Sequence, residues 1–271
     1  MTATRIPLLL LFLLLILLLP WQIVHSAESA APPLGTGPGS SPPPIVIGFV
    51  GGFVHHDSAR RSEIQLAEKL RAEYTDQVRV EVFQNRRWKM AARVIRQWLD
   101  ANHDGKLSDA EKRNARIVLY GHSWGGAAVV SLARQLDEEG IPVLLTVQVD
   151  SIAKPGQDDR VIPVNVEKAA NFYQARGLLH GCPKIAAADP AHTQILGDFR
   201  FTYEKAASAC AAYPWYDRLL FPGHTAIGCD PGVWSQVRNL ISTQLVAAPE
   251  QVPYNAAKNQ AATNAAETGR R

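Results

Sequence analysis

The sequence predicts one α/β domain, a mostly parallel central sheet with helices on both faces, over residues 45–246. Three observations predict it. Short apolar runs alternate with segments of helical period, the order that parallel β–α–β units require. The connections between them are short. A Pro/Gly/Ser-rich stretch and an Ala/Asn-rich end leave about 200 residues between them, enough for a single sizeable core.

Taken in order, "MTATRIPLLLLFLLLILLLPWQIVHSA" carries Arg5, then an apolar run from Leu8 to Leu19, then Pro20 and small residues. That is the layout of a secretory signal peptide over residues 1–27, with cleavage after Ser26 or Ala27. The run is shorter than the ~20 residues of a membrane span, so no stable span is expected once it is removed. A secreted or periplasmic protein is expected. Residues 28–44 read as an extended linker and 247–271, poor in large apolar residues, as a disordered tail. The formal net charge of +3, with no dense basic cluster, gives no footprint for nucleic acid.

Within the domain, "PIVIGFVGG" reads as a buried strand entering a glycine turn. "SEIQLAEKLRAEY" has helical spacing, opened by Ser62 with Gln65 three residues on, a capping-box pattern. "QVRVEVFQ" alternates as a strand. "KMAARVIRQWL" puts Met90, Val94, Ile95, Trp98 and Leu99 on one helical face. "ARIVLYG" is a third strand, "GGAAVVSLARQLDEEG" an apolar helix and "IPVLLTVQVD" a fourth strand. A fifth is expected in "HTQILGDFRFTYE", and a last helix in "PGVWSQVRNLISTQL".

An apolar strand runs directly into Gly121-His122-Ser123-Trp124-Gly125, and an Ala/Val helix runs directly out. A turn that sharp needs small neighbours and lifts the Ser123 hydroxyl clear of the sheet as a nucleophile. The Trp124 N–H, at the new helix's N-terminus, then points where an oxyanion would form. Serine needs a base, and the base needs an acid to orient it. In such sites the chain order is Ser, acid, His. Asp150 ends the fourth strand, at the same sheet edge as Ser123. Asp158, Asp159, Asp189 and Asp198 are weaker rivals. His224, on a Gly-containing loop before the last helix, is the expected base, ahead of His180 and His192. His122 is expected to point away. The second oxyanion donor is expected from "GFVGGFV", at the N–H of Gly52 or Phe53, with His55 and His56 close behind.

With these residues in place, the chain from Ile45 to about Leu245 resembles the α/β-hydrolases in a compact form. The resemblance is carried by "GFVGGF", "YGHSWGG", "VQVDSIAKPG" and "GHTAIGCDP". "VIPVNVEKAANFYQ" is similar to a group of secreted, lipase-like bacterial hydrolases. The resemblance implies the α/β-hydrolase fold, with Ser123 as nucleophile, His224 as base and Asp150 as acid. In many members the acid follows the next strand along, whereas Asp150 sits one strand earlier.

"DANHDGKLSDAE" is an EF-hand-like loop inserted before the nucleophile strand. Asp100, Asn102 and Asp104 hold its first, third and fifth positions, Gly105 the sixth, Ser108 the ninth and Glu111 the twelfth. Lys106, at the seventh, would offer its backbone carbonyl. The expected ion is structural Ca2+. It lies roughly 15–20 Å from Ser123, at the opposite end of the strand between them, so a Lewis-acid role is not expected.

Three cysteines in an oxidising compartment allow at most one internal bridge. Cys210 with Cys229 is favoured for its short loop beside His224, and the other pairings stay open. The expected function is a secreted serine hydrolase of the carboxylesterase, lipase or thioesterase type, acting on a small-molecule or lipid ester. Peptidase activity on the same triad is a lesser option. The alternative from another class is a non-catalytic, calcium-stabilised binding protein on the same scaffold.

Overall fold

The computed structural model describes residues 42–203 and 208–246. The predicted signal segment 1–27, the linker up to residue 41 and the tail 247–271 lie outside the described residues. The strands are β1 (Ile45–Val50), β2 (Arg79–Gln84), β3 (Ile117–His122), β4 (Val143–Val149), β5 (Val161–Ile162), β6 (Val166–Gln174), β7 (Ala186–Ala187) and β8 (Gln194–Phe201). The helices are α1 (Ser62–Tyr74), α2 (Trp88–Leu99), α3 (Asp109–Arg113), α4 (Trp124–Glu138), α5 (Trp215–Leu220), α6 (Pro222–Cys229) and α7 (Pro231–Val246).

Six strands form one sheet in the order β2-β1-β3-β4-β6-β8, and every pairing is parallel. This is the mostly parallel, helix-covered sheet that the sequence predicts. The short β5 and β7 pair with each other outside it. β1 and β3 are buried along their whole length, as continuous apolar runs in a doubly covered sheet must be. The pleat sends Ile45, Ile47 and Phe49 into one core with α2 and α4, and Val46 and Val50 into the other with α1 and α7. Each fully buried Leu or Ile of these faces contributes about 1.5–3 kcal/mol.

Four local expectations are corrected. Ser62 does not cap α1: Arg61 is the N-cap residue, no side chain caps the end, and the Gln65 amide donates to the Ala59 carbonyl instead. The capping box forms at Ser108 and Glu111, at the start of α3. In α2 the buried stripe is Ala91, Ala92, Ile95 and Leu99, with Val94 and Trp98 at its margin, while Met90 lies outside it and is exposed. His224 sits on helix α6 rather than a loop, because Pro222 occupies a first-turn position where its missing N–H costs nothing.

The fourth correction is an additional strand. β6 has no strand signature in the sequence, because Glu167, Lys168, Asn171 and Gln174 break its apolar run. Two of those polar residues are buried and bonded: the Asn171 amide donates to the Cys182 carbonyl and to Asp198, and Gln174 serves the site described below.

Candidate active site

β3 ends at His122 and the chain reverses at Ser123, which takes φ 58° and ψ −127°. Non-glycine residues rarely adopt that backbone, and surrounding bonds must hold it. The Ser123 N–H donates to the Val149 carbonyl at 3.0 Å. Its own carbonyl accepts from Gly126 at 2.9 Å and Ile152 at 3.1 Å. The turn has no room for larger neighbours: a Cβ on Gly121 would lie 2.5 Å from the Gly125 carbonyl. One on Gly51 would lie 2.8 Å from the Ser123 Cβ.

Asp150 leaves β4 with φ 42° and is fully buried. Four donors surround its carboxylate. The N–H groups of Gln174 and Gly181 donate to Oδ1 at 3.1 and 2.7 Å. The Gln174 amide donates to Oδ2 at 3.0 Å, and His224 Nδ1 lies 2.7 Å from that same oxygen. An ionised carboxylate only accepts, so Nδ1 carries the imidazole proton and Nε2 is left as the acceptor. The Ser123 hydroxyl lies 2.9 Å from Nε2 and donates to it. Three residues spread over 101 positions thus form one continuous, buried relay.

The rival carboxylates are committed elsewhere. Asp159 accepts from the Ser151 hydroxyl at 2.6 Å, and its burial raises its pKa. Asp198 accepts from Asn171 and the Ile185 N–H. Asp189 pairs with His192 at 2.7 Å, and Asp158 with Arg134 and Arg160 at the surface. Among the described residues, the His180 side chain bonds to the neighbouring Gly181 carbonyl.

His122 does not point away, contrary to expectation. Its ring stacks on His224 with centroids 4.7 Å apart, because Gly228 on α6 leaves the space: a Cβ there would sit 2.7 Å from the His122 ring. Behind it, Glu63 Oε1 lies 3.7 Å from His122 Nδ1 and accepts from the Gly51 N–H at 3.4 Å. Burial, and then the neighbouring His224, hold the His122 imidazole well below its ordinary range. Burial pushes the Glu63 carboxyl up to about 7.

Ser123, Trp124 and His224 open into a cavity of about 610 Å3, a size that suits a small organic ligand. Gly51, Gly52, Phe53 and His55 form one wall, and Pro214, Tyr216 and Phe221 the other. Phe53 is 88 % exposed at the lip, where its ring meets that of Trp124 edge-on at 5.2 Å. Trp215, Leu219 and Leu220, on the same helix α5 as Tyr216, are also exposed. A second cavity of about 740 Å3, beside α1 and α7, contains no member of the relay.

The loop from Asp100 to Glu111 turns at Gly105, with φ +80°. Its N–H groups point at its own oxygens: Gly105 donates to Asp100 at 2.9 Å, and Ala101 and Ser108 to the two Glu111 oxygens at 2.9 and 2.8 Å. The Asn102 side-chain oxygen accepts from the Asp104 N–H at 3.0 Å. This all-oxygen donor set suits a hard cation. The Asp100, Asp104 and Glu111 carboxylates do not converge within 4.8 Å, a spacing met among the described residues by His55, His56 and Asp57 at the cavity lip. The loop precedes β3 and Ser123 follows it, so the two lie at opposite ends of that strand. Cys210 and Cys229 are bonded, with Cα atoms 5.4 Å apart, which ties the start of the α5–α6 segment to the end of the helix that carries His224. Cys182 is free.

No family model and no curated protein matches the chain. Among solved structures it is similar to a cutinase-like protein from Cryptococcus sp., at 13 % identity and TM-score 0.43, covering 78 % of this chain and 98 % of that one. It is also similar to an acetyl xylan esterase, at 11 % identity and TM-score 0.38, covering 76 % and 100 %. A third is a dienelactone hydrolase-like promiscuous phosphotriesterase from metagenomic libraries, at 15 % identity and TM-score 0.36, covering 77 % and 89 %. No helix of the described residues is long and apolar enough to cross a membrane.

Proposed function

We propose that the chain is a serine hydrolase that cleaves carboxylic or thio esters through an acyl-enzyme. The observation that carries this reading is the buried Ser123–His224–Asp150 relay, with contacts of 2.9 and 2.7 Å, opening into the apolar-rimmed cavity.

In the first step Ser123 Oγ attacks the ester carbonyl while its proton passes to His224 Nε2. Asp150 keeps the proton already on Nδ1 in place and stabilises the imidazolium that forms. Charge develops on the former carbonyl oxygen, where the N–H groups of Trp124 and of Gly52 or Phe53 are the proposed donors. The positive end of α4 adds to them. His224 then gives its proton to the leaving alcohol or thiol, and a water molecule, deprotonated by the same Nε2, releases the acid.

The apolar lip of Phe53, Tyr216 and Phe221 favours substrates with a hydrophobic acyl or alcohol part. Activity on p-nitrophenyl esters is expected to rise from acetate to longer acyl chains. The chain is proposed to act outside the cytoplasm, as the leader-like start and the Cys210–Cys229 bond favour.

We assign the loop to structural Ca2+, held by the side chains of Asp100, Asn102, Asp104, Ser108 and Glu111 and by the Lys106 carbonyl. The ion would brace α2 against β3 and supplies nothing to the acyl transfer.

The test is a fluorophosphonate probe applied to the purified protein beside Ser123→Ala. Labelling lost in the variant supports an activated serine. A folded wild-type protein that takes up no label and hydrolyses no ester would sink the reading and favour the non-catalytic binding scaffold.

A further inference from the structure

The segment after β4 reaches three parts of the proposed machinery. Asp150 meets the proposed base, the Ile152 N–H donates to the Ser123 carbonyl, and Lys154 reaches Asn85, which in turn holds the Gly52 carbonyl. The Lys154 ammonium donates to Asn85 Oδ1 at 2.7 Å and lies 4.8 Å from the Trp124 ring centroid. Asn85, in the turn after β2, is 5 % exposed. Its amide N–H groups donate to the Gly52 carbonyl at 2.6 Å and the Val50 carbonyl at 3.3 Å. One orientation of the Asn85 amide satisfies all three contacts: its oxygen faces an ammonium and its NH2 faces two carbonyls.

The consequence follows from peptide planarity. The Gly52 carbonyl and the Phe53 N–H belong to one trans peptide and point in opposite directions. Whatever pins the carbonyl therefore aims the N–H. Gly52 itself sits at φ +53° with nothing within 4 Å of where a Cβ would stand, and besides the Asn85 bonds the turn is held by a 3.3 Å bond from the Val54 N–H to the Gly51 carbonyl. On the other side, Lys154 lies over the ring of the residue whose N–H is the first proposed oxyanion donor.

We infer that Lys154 and Asn85 are positioning residues: acting through the Gly52 carbonyl, they aim the Phe53 N–H at the developing oxyanion and set its spacing from the Trp124 N–H. This rests on the esterase reading above. A brace that only stabilised the fold would show in the melting temperature. A positioning brace shows in the chemical step.

The test compares the purified wild-type protein with Lys154→Met, Lys154→Arg and Asn85→Asp, using p-nitrophenyl butyrate. Lys154→Met keeps the apolar stem and removes the donor. Asn85→Asp is the sharper variant: it keeps the size and strengthens the attraction to Lys154, but turns a carboxylate toward two carbonyls. A misplaced oxyanion donor costs kcat about 10–100-fold. That loss is expected in Lys154→Met and Asn85→Asp, with KM within about threefold, the pH midpoint of the base unmoved and cooperative melting retained. Lys154→Arg, which can still donate to Asn85, is expected to recover most of it.

Wild-type kcat in Asn85→Asp, or a loss of kcat only in step with KM or with unfolding, would overturn the inference. So would failure of both variants to fold, since that would make the contact a structural brace. If wild type is active, Ser123→Ala is dead and the Lys154 and Asn85 variants are unaffected, this inference fails alone. If wild type neither reacts with the probe nor hydrolyses the ester, the esterase reading fails with it.

Discussion

The His122 ring lies stacked on the His224 ring, at 4.7 Å between centroids and 27° between planes, with both side chains buried. A residue that precedes the proposed nucleophile in sequence thereby forms the back wall of the proposed base. It does so as a neutral ring, since burial and His224 itself oppose a charge there. Behind it stands Glu63, whose Oε2 has no hydrogen-bond partner among the described residues.

Glu63 should make the fold pH-sensitive. Burial raises its carboxyl from 4.5 to about 7. The folded state then binds a proton more tightly than the unfolded one, so stability is full below about 4.5 and falls as the pH rises through 7. The accumulated loss is about 3 kcal/mol. Glu63→Gln keeps an acceptor for the Gly51 N–H and removes the ionisation. Its melting temperature is expected to gain on wild type between pH 5 and pH 8 and to run parallel to it above that. Equal differences at both pH values would show that Glu63 does not titrate there.

Asp150→Asn should leave the protein folded and nearly inactive. The Asn oxygen can still accept from the Gln174 and Gly181 backbone N–H groups, but its NH2 faces His224 Nδ1, forcing the imidazole proton to Nε2, and displaces the Gln174 side-chain amide from that corner. The Ser123 hydroxyl then has no acceptor. A fall in kcat of about 10,000-fold is expected, with cooperative melting intact. A loss below about tenfold would show that His224 finds its orientation without Asp150.

Calcium should stabilise without entering the chemistry. At a concentration 100 times Kd, the ion adds about 2.7 kcal/mol by mass action. For a domain of this size that raises the melting temperature by roughly 5–10 °C. Glu111→Gln should cancel the increment, and ester hydrolysis at 25 °C should not change on chelation. A chelated protein that melts as before but hydrolyses nothing would place the ion in the reaction.

The Cys210–Cys229 bond closes a 19-residue separation, worth about 3 kcal/mol of loop entropy in the unfolded chain. Reduction, or Cys229→Ser, is expected to lower the melting temperature. It should also make the α5–α6 segment, and His224 with it, the first region to exchange its amide protons. Uniform exchange across the domain would argue against that local role.

The sequence by itself determined five of the six strands of the sheet and the Ser123 turn at its edge. β1, β3 and β4 are mostly apolar runs, β4 broken by Thr146 and Gln148, and a run of that kind in a doubly wound sheet has one environment open to it. Gly121, Gly125 and the apolar helix after them leave the Ser123 turn a single shape. The two residues that meet Ser123 were legible too, Asp150 from its place at a strand end and His224 from chain order. The same local chemistry is the basis for proposing the loop of Asp100, Gly105 and Glu111 as a cation site.

Tertiary structure decided the rest. β6 was hidden because its Asn171 and Gln174 look like loop residues until their partners, Asp198 and Asp150, are known. The α6 helix was hidden behind Pro222 and Gly223, whose effect depends on which turn of a helix they occupy. His122, Glu63, Asn85 and Lys154 carry no local signal, because each acts on a group 12 to 102 positions away. Periodicity reports which face of an element is buried. Which polar groups meet inside depends on how the elements are brought together, and a buried hydrogen bond specifies a position only once both partners are in place.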